Sequence, residues 1–400
     1  MYRAGVTDMM ALVPLPAGGD AVERSAYAFD LVEAWLFRPP VASLLGAFGH
    51  QLPPRWSGKV DLENSDRWLP LNEYLPSWIG PVLDNPIAGA DGLTPEQVDT
   101  LRRMLVVEEM AADDFNFRKR DNTAYVERAH AVTADFDDAF RDEVLECTRE
   151  LGLVDPRPPR HARYDTTLVL GGGYRSPLLR ARYAARLQER GIGLGRLSFL
   201  GSPRFMMDDA ERDAAATYAP GATDEFDLLV GAARGEFGFA AATTVFMCGC
   251  HAADQTCPSW PYADMDGADA TPPEYTHERR VDLADASGSP RGWALSACTS
   301  RPPYRPDTSD AFGLWARCFQ PHAGQRVLVV TTQVFVPFQS FDSVRRLYLP
   351  YGIDIDVVGF GADQNDRPQT AEYLLQETLS AIRSARRLLV GAAEALMRRP

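Results

Sequence analysis

Residues 166–180 (TTLVLGGGYRSPLLR) constrain this chain more than any other stretch. A short apolar run of β-forming residues passes directly into three glycines and then into an Arg/Ala/Leu-rich helical pattern. Glycine lets the backbone turn with φ > 0 and lets a ligand approach main-chain N–H groups at a helix N-terminus. Strand, glycine loop and helix in that order are how open α/β sheets build ligand sites beyond their strand C-termini.

The remainder of the chain sets limits around that element. Four hundred residues exceed one ordinary core, so two domains are expected, or one with a large helical extension. No stretch approaches the roughly 20 apolar residues of a membrane span. The first residues, MYRAGVTD, lack a basic-then-apolar signal pattern, so a cytoplasmic protein with reduced thiols is expected. A net charge of −14 argues against nucleic acid and anionic membranes as partners and leaves a small molecule. The only lysines are Lys59 and Lys119, which rules out a Schiff-base or P-loop lysine in the second half.

Hydrophobic periodicity divides the chain in two. Residues 20–37 fit a helix, with Ala26, Phe29, Val32 and Leu36 on one face and Pro39-Pro40 ending it. Trp56, Trp68 and Trp78 stand among prolines, which reads as irregular chain anchored by aromatics. Thr94-Pro95-Glu96-Gln97 is a helix start with an N-cap, a proline at N1 and a glutamine at N3. Asp121 opens another helical region, and residues 131–151 carry Phe136, Phe140 and Val144 on one face. Residues 1–155 are therefore expected to form a mostly helical domain, with a Pro/Arg linker at 156–163. Beyond it strands are expected at 166–170, 197–202, 240–247, 278–283, 326–332 and 353–359. Helices are expected to 190, then at 223–232, 307–319, 341–349 and 370–397, the last amphipathic. That alternation predicts an α/β fold over 164–400: a doubly wound, mostly parallel, Rossmann-like sheet with a C-terminal helix.

The order of these pieces, with Leu168-Val-Leu-Gly-Gly-Gly173, Leu200-Gly-Ser202, Glu225, Asp307-Thr-Ser-Asp310 and the strand from Val327 to Pro337, resembles the bacterial DUF218 family, which includes the YdcF and SanA-type proteins. The likeness covers residues 160–365. It implies a Rossmann-like domain that binds a small, nucleotide-like or phosphorylated ligand at the strand C-termini. Phe335 stands where the family pattern has histidine, Phe338 where it has arginine and Ala311 where it has asparagine. Those departures weaken a phosphate-specific or general-acid role at that edge.

The candidate ligand crevice gathers residues 171–176, 202–204, 223–227, 308–310 and 331–339. Gly171, Gly172, Gly173, Arg175 and Ser176 can hold an anion through backbone N–H groups, the helix dipole and a guanidinium; a tight turn beside a solvated arginine is the plainer reading. Ser202, Arg204, Thr308, Asp310, Thr331, Thr332, Gln333 and Gln339 supply further hydrogen-bonding groups. Glu225 and Asp227 either cap a helix or, for Glu225, face the strand ends as a general base. The triple glycine is not G-x-G-x-x-G, and no acidic strand end follows about 20 residues later, which speaks against NAD. Cys248-Gly-Cys250-His251, with Cys257, matches no common zinc spacing, so ordinary loop thiols and no metal are expected. Asp264, Asp266 and Asp269 lack the distal glutamate of an EF-hand. The function expected is a small-molecule enzyme, a transferase before a hydrolase. An S-adenosylmethionine- or nucleotide-binding protein, or a non-catalytic sensor, is the alternative.

Overall fold

The computed structural model describes residues 18–56, 59–70, 73–84, 92–117, 134–204, 206, 209–248, 257, 277–300, 306–364 and 368–398. The chain forms two compact units. Unit 1 comprises Met1–Pro156, Gln333–Gly352 and Gly361–Pro400, and unit 2 comprises Arg157–Thr332 and Ile353–Phe360. Among the described residues no helix is long and apolar enough to cross a membrane.

Unit 1 opens with α1 (Ala21–Leu36), started by a reciprocal cap in which Asp20 accepts from Val22 N and Glu23 N at 2.8 and 2.9 Å. The prolines that end α1 also begin α2 (Pro39–Gly46), because proline suits the first helical positions. After α3 (Ile79–Asp84) comes α4 (Pro95–Asp114), where Thr94 and Gln97 form the expected capping box. The next helix, α5 (Asp138–Glu150), begins at the Asp137 cap, later than the periodicity suggests. The helical region read from Asp121 lies outside the described residues.

Unit 2 begins where a linker was expected, but residues 157–163 do not hang free. Arg157 Nη2 reaches Asp356 Oδ1 at 2.6 Å and Val357 O at 2.9 Å, and Arg160 N donates to Asp356 Oδ2 at 2.7 Å. Burial opposes ionisation of Asp356, yet Arg157, Tyr164 and Arg160 outweigh it and hold the carboxyl below its usual range. From there the chain runs through β1 (Thr166–Leu170), α6 (Ser176–Glu189), β2 (Arg196–Gly201), α7 (Asp209–Ala215) and α8 (Glu225–Phe237). Two two-residue strands, β3 (Ala240–Ala241) and β4 (Val245–Phe246), replace the single strand expected at 240–247. The hairpin strands β5 (Arg279–Ala284) and β6 (Pro290–Ser296) follow, then α9 (Thr308–Phe319) and β7 (Arg326–Thr332). The chain crosses to unit 1 for α10 (Val336–Ser343), a π-helical turn (Val344–Tyr348) and α11 (Leu349–Tyr351). It returns for β8 (Asp354–Phe360) and leaves again for α12 (Ala371–Met397).

The sheet order is β3-β5-β6-β2-β1-β7-β8, with β4 also paired to β5. The strands β6, β2, β1, β7 and β8 are parallel to their neighbours, while β5 joins antiparallel to β6 and carries β3 and β4. Taken in chain order, the five parallel strands lie 3-2-1-4-5, so the order reverses between β1 and β7. That reversal is the switch point at which doubly wound sheets bind ligands. One face packs Val169, Phe199, Leu328, Val330 and Val358 against Ala181, Ala184, Phe226 and Leu229 of α6 and α8. Ala294 faces that cluster, so its neighbour Trp293 points to the other face, where it meets Phe319 of α9 at 4.1 Å. Helices on both faces make the unit the α/β, Rossmann-like domain expected.

The C-terminal helix departs from the expected domain plan. α12 packs with α1, α4, α5 and α10 of unit 1. It is buried nearly all round, including Leu375, Leu379, Ile382, Ala385, Leu388, Leu389 and Ala392 at 0% exposure, so it is a central helix and not a one-sided cover. It also carries charge inward. Arg386, 4% exposed, donates to Glu108 of α4 at 2.6 Å and to Glu73, and Arg387 Nε reaches Glu73 at 2.9 Å. Of the tryptophans read as anchors, Trp68 is buried and Trp56 is half exposed.

Candidate functional site

The glycine loop lies at the C-terminal end of β1, and its three members differ in what surrounds them. A Cβ on Gly171 would lie 2.0 Å from Glu225 Oε1, and one on Gly172 would meet Ser176 Cβ at 2.9 Å, whereas Gly173 is open. Gly171 N donates to Leu200 O, and Ser176 N to Gly173 O at 2.8 Å, which folds the loop onto the start of α6. No side chain caps α6; Arg175 occupies the N-cap position, exposed, with its guanidinium over the Tyr174 ring at 5.5 Å. An uncapped helix start with a cation beside it favours negative charge.

Glu225 is the first residue of α8, and it points at the sheet. It is 7% exposed, and its Oε2 accepts from Ser202 Oγ at 2.6 Å and Ser202 N at 3.2 Å. Its own N–H donates to Arg204 O at 2.8 Å. Burial pushes its carboxyl up, against the Ser202 hydrogen bonds and the nearby Arg204 and Arg180 guanidinium groups. The cap of α8 is Asp224, which accepts from Asp227 N at 3.1 Å and pairs with the buried Arg279 at the start of β5. Burial lifts the Asp224 carboxyl to about 6, with Arg279 opposing. The two adjacent acids therefore divide the two roles weighed for this helix start: Asp224 caps, and Glu225 faces the strand ends.

Arg180, one turn into α6, spans the switch point. It donates to the carbonyls of Leu170 and Gly171 and reaches Thr332 Oγ1 of β7 at 3.4 Å. Thr332 thus stands with the loop, while Thr331, fully buried, points to the opposite face, and its hydroxyl has no hydrogen-bond partner among the described residues. Asp310 proves structural. Its Oδ1 accepts from Ser300 N at 3.1 Å and its Oδ2 from Asp307 N at 2.9 Å, closing a capping box on α9. Burial and the Asp307 charge push its carboxyl up. Thr308 is half-buried in the same first turn. Gln333 and Gln339 belong to unit 1, where Gln333 Nε2 donates to Gly152 O at 2.7 Å, so they are not counted with the site. Phe335 packs against Phe338 and Tyr373 in that unit.

The structure adds residues that the sequence reading did not place in the site. Arg180 was legible only as a helix residue four positions after Ser176, a spacing that turns a side chain back toward the preceding loop. Tyr218 donates its hydroxyl to Tyr174 O, which ties it to the residue just after the glycine loop. Nothing local in the sequence marks that contact. A surface cavity of 340 Å³ opens at the other edge of the sheet, near Ile192, Leu194, Phe237 and Arg291. It offers one cation and no acid–base pair, so the switch-point edge is the better candidate for chemistry.

No family model matches the chain, and no solved structure does. It is similar over 258 residues, at 33% identity, to an uncharacterized protein of Mycobacterium bovis and to uncharacterized proteins of two Mycobacterium tuberculosis strains. The similarity covers 62% of this chain and 66% of each relative, so the chain spans just under two thirds of their length.

Proposed function

We propose that this chain is a transferase acting on a small, polar, anionic metabolite held at the C-terminal edge of the unit 2 sheet, in keeping with its resemblance to the DUF218 family. The placement of Glu225 carries the reading: a buried carboxylate, fixed by Ser202 after β2 and set against Gly171 at the C-terminal end of β1. Burial raises its proton affinity above that of an ordinary carboxylate, which strengthens it as a base. In this reading the α6 start and Arg175 hold the anionic group. Glu225 takes the proton of an acceptor hydroxyl or amine as that atom bonds to the transferred group, whose bond to the donor breaks with its electron pair leaving on the donor fragment. The thiols of Cys147 and Cys318 form no disulfide, in keeping with a cytoplasmic setting.

One observation favours a second reading, a nucleotide or S-adenosylmethionine ligand. The sequence lacks an acidic residue at the end of β2, but the fold brings Glu225 to that place through Ser202. A carboxylate there can accept from ribose hydroxyls. Exposing the protein to cell extract and identifying the retained molecule by mass spectrometry separates the readings. With that molecule, Glu225→Gln should cut turnover on the order of 100-fold or more with binding nearly intact if Glu225 is a base. A comparable loss of binding instead favours the ribose role. Arg175→Ala should weaken an anionic ligand by roughly 1.5–3 kcal/mol. If Arg175→Ala and Gly172→Val both bind like the parent protein, the site lies elsewhere.

A further inference from the structure

The spacing of Cys248, Cys250, His251 and Cys257 fits no common zinc motif. The fold supplies a ligand that spacing could not reveal. β4 and β5 pair antiparallel with Val245 opposite Arg280 and Phe246 opposite Arg279, and Met247 N donates to Glu278 O at 2.7 Å. One further step of that register sets Cys248 opposite His277. Cys248 Sγ lies 2.9 Å from His277 Nδ1, and Cys257 joins them, with the three ligand atoms all within 4.8 Å of one another. Cys257 is 3% exposed and His277 1%. Cys250 and His251 lie outside the described residues.

We infer that Cys248, Cys257 and His277 supply three of the four ligands of a zinc site, distinct from the Glu225 crevice and independent of the function proposed above. Two thiolates and a neutral imidazole balance the charge of a zinc ion, and soft sulfur with one nitrogen is the donor set zinc prefers. Zinc bonds of about 2.3 Å to sulfur and about 2.0 Å to nitrogen place tetrahedral neighbours on the order of 3.5–3.8 Å apart. The observed spacing reaches that geometry once the Cys248–His277 contact opens by about 0.6 Å and separations as long as 4.8 Å close by about 1 Å. Binding releases one proton from each thiol.

The surroundings call for such a tie. β3 and β4 are two residues each, too short to hold an edge by pairing alone. His277 lies two residues before β5, which carries both of them and whose Arg279 pairs with the Asp224 cap of α8. A metal at this point fixes the edge of the sheet and the end of the long segment between Cys248 and His277 in one contact. The ring of Phe246 stands edge-on to the imidazole at 5.5 Å, giving the histidine an apolar flank.

The test uses the full chain, purified without chelator from zinc-supplemented medium. Elemental analysis should find about one zinc per chain, and Cys257→Ser and His277→Ala should each lose most of it. Replacing zinc by cobalt(II) in the parent protein should give the near-ultraviolet band of sulfur-to-cobalt charge transfer, a readout that needs no variant to fold. Absence of both zinc and that band overturns the site. So does zinc that persists undiminished in folded Cys257→Ser and His277→Ala proteins. A metal-free protein whose Cys248 alkylates rapidly would likewise overturn it, and would identify Cys248 and His277 as a reactive thiol–imidazole pair instead.

Discussion

Gly171→Ala is the sharpest probe of the candidate site, because its cost should depend on a residue 54 positions away. Gly171 is absent from the positive-φ glycines, so alanine suits its backbone. Its Cβ, however, would sit 2.0 Å from Glu225 Oε1, 2.8 Å from Glu225 Cδ and 3.0 Å from Leu200 O. The carboxylate must retreat by about 1 Å or more, which overpacking data put at about 1–3 kcal/mol. That retreat also strains its two hydrogen bonds from Ser202, charge-assisted bonds worth about 1.5–3 kcal/mol each when lost. A total of roughly 2–4 kcal/mol is expected. In a Glu225→Ala background the two closest contacts vanish, and Gly171→Ala should cost less than about 1 kcal/mol, helped by the lower entropy of the unfolded alanine chain. The coupling energy from urea unfolding of the four proteins should therefore be about 1.5–3 kcal/mol, read on the transition that Gly171→Ala shifts, since two units can unfold separately. Gly173→Ala, with open space around it, serves as the control and should stay within about 0.5 kcal/mol of the parent. Additivity of Gly171→Ala and Glu225→Ala within about 0.5 kcal/mol would refute the placement of Glu225, and with it the proposed base.

Three further outcomes follow from unit 1. Arg386→Met strands the carboxylates of Glu108 and Glu73 inside the protein and should destabilise it by about 3–5 kcal/mol in urea titrations; a loss below about 1 kcal/mol would mean that the network is not buried as described. Burial opposes ionisation of Glu73, but Arg387 and Arg386 outweigh it and hold its carboxyl well below the usual 4.5. Its contribution is thus complete above pH 4.5 and lost as pH falls through the lower folded value, so Glu73→Gln should flatten the acid limb of a pH–stability curve and leave its slope above pH 5 unchanged. A fragment of residues 160–400 keeps α12 without α1, α4 or α5 and should be poorly soluble or molten by near-ultraviolet circular dichroism; a cooperative monomer would count against the packing of α12.

Much of the fold was legible because it is locally encoded. β1 and β7 begin and end where their apolar runs do, and the Thr94–Gln97 and Asp307 helix starts are set by capping chemistry within four residues. β6 escaped notice because Pro290, Arg291 and Gly292 break the apolar pattern at its start, and only pairing with β2 and β5 makes it a strand. The 3.6-residue period of α12 marks a helix but does not say which unit it serves. Its inward arginines, matched to Glu73 and Glu108, settle that through contacts nearly three hundred residues apart or more.

The site was less legible for a related reason: its chemistry depends on which neighbouring acid turns which way. Asp224 and Glu225 are adjacent and equally suited by type to cap α8. Asp224 takes the cap because Arg279, on a strand 55 residues later, pairs with its carboxylate, and that occupation directs Glu225 inward to Ser202 and Gly171. Two residues before the same strand, His277 meets Cys248. β5 and the residues leading into it thus position both the general-base candidate and the metal candidate, although the sequence there shows no motif. In a doubly wound sheet the parallel strands announce the crevice, but here the antiparallel strand β5 decides how the crevice is furnished.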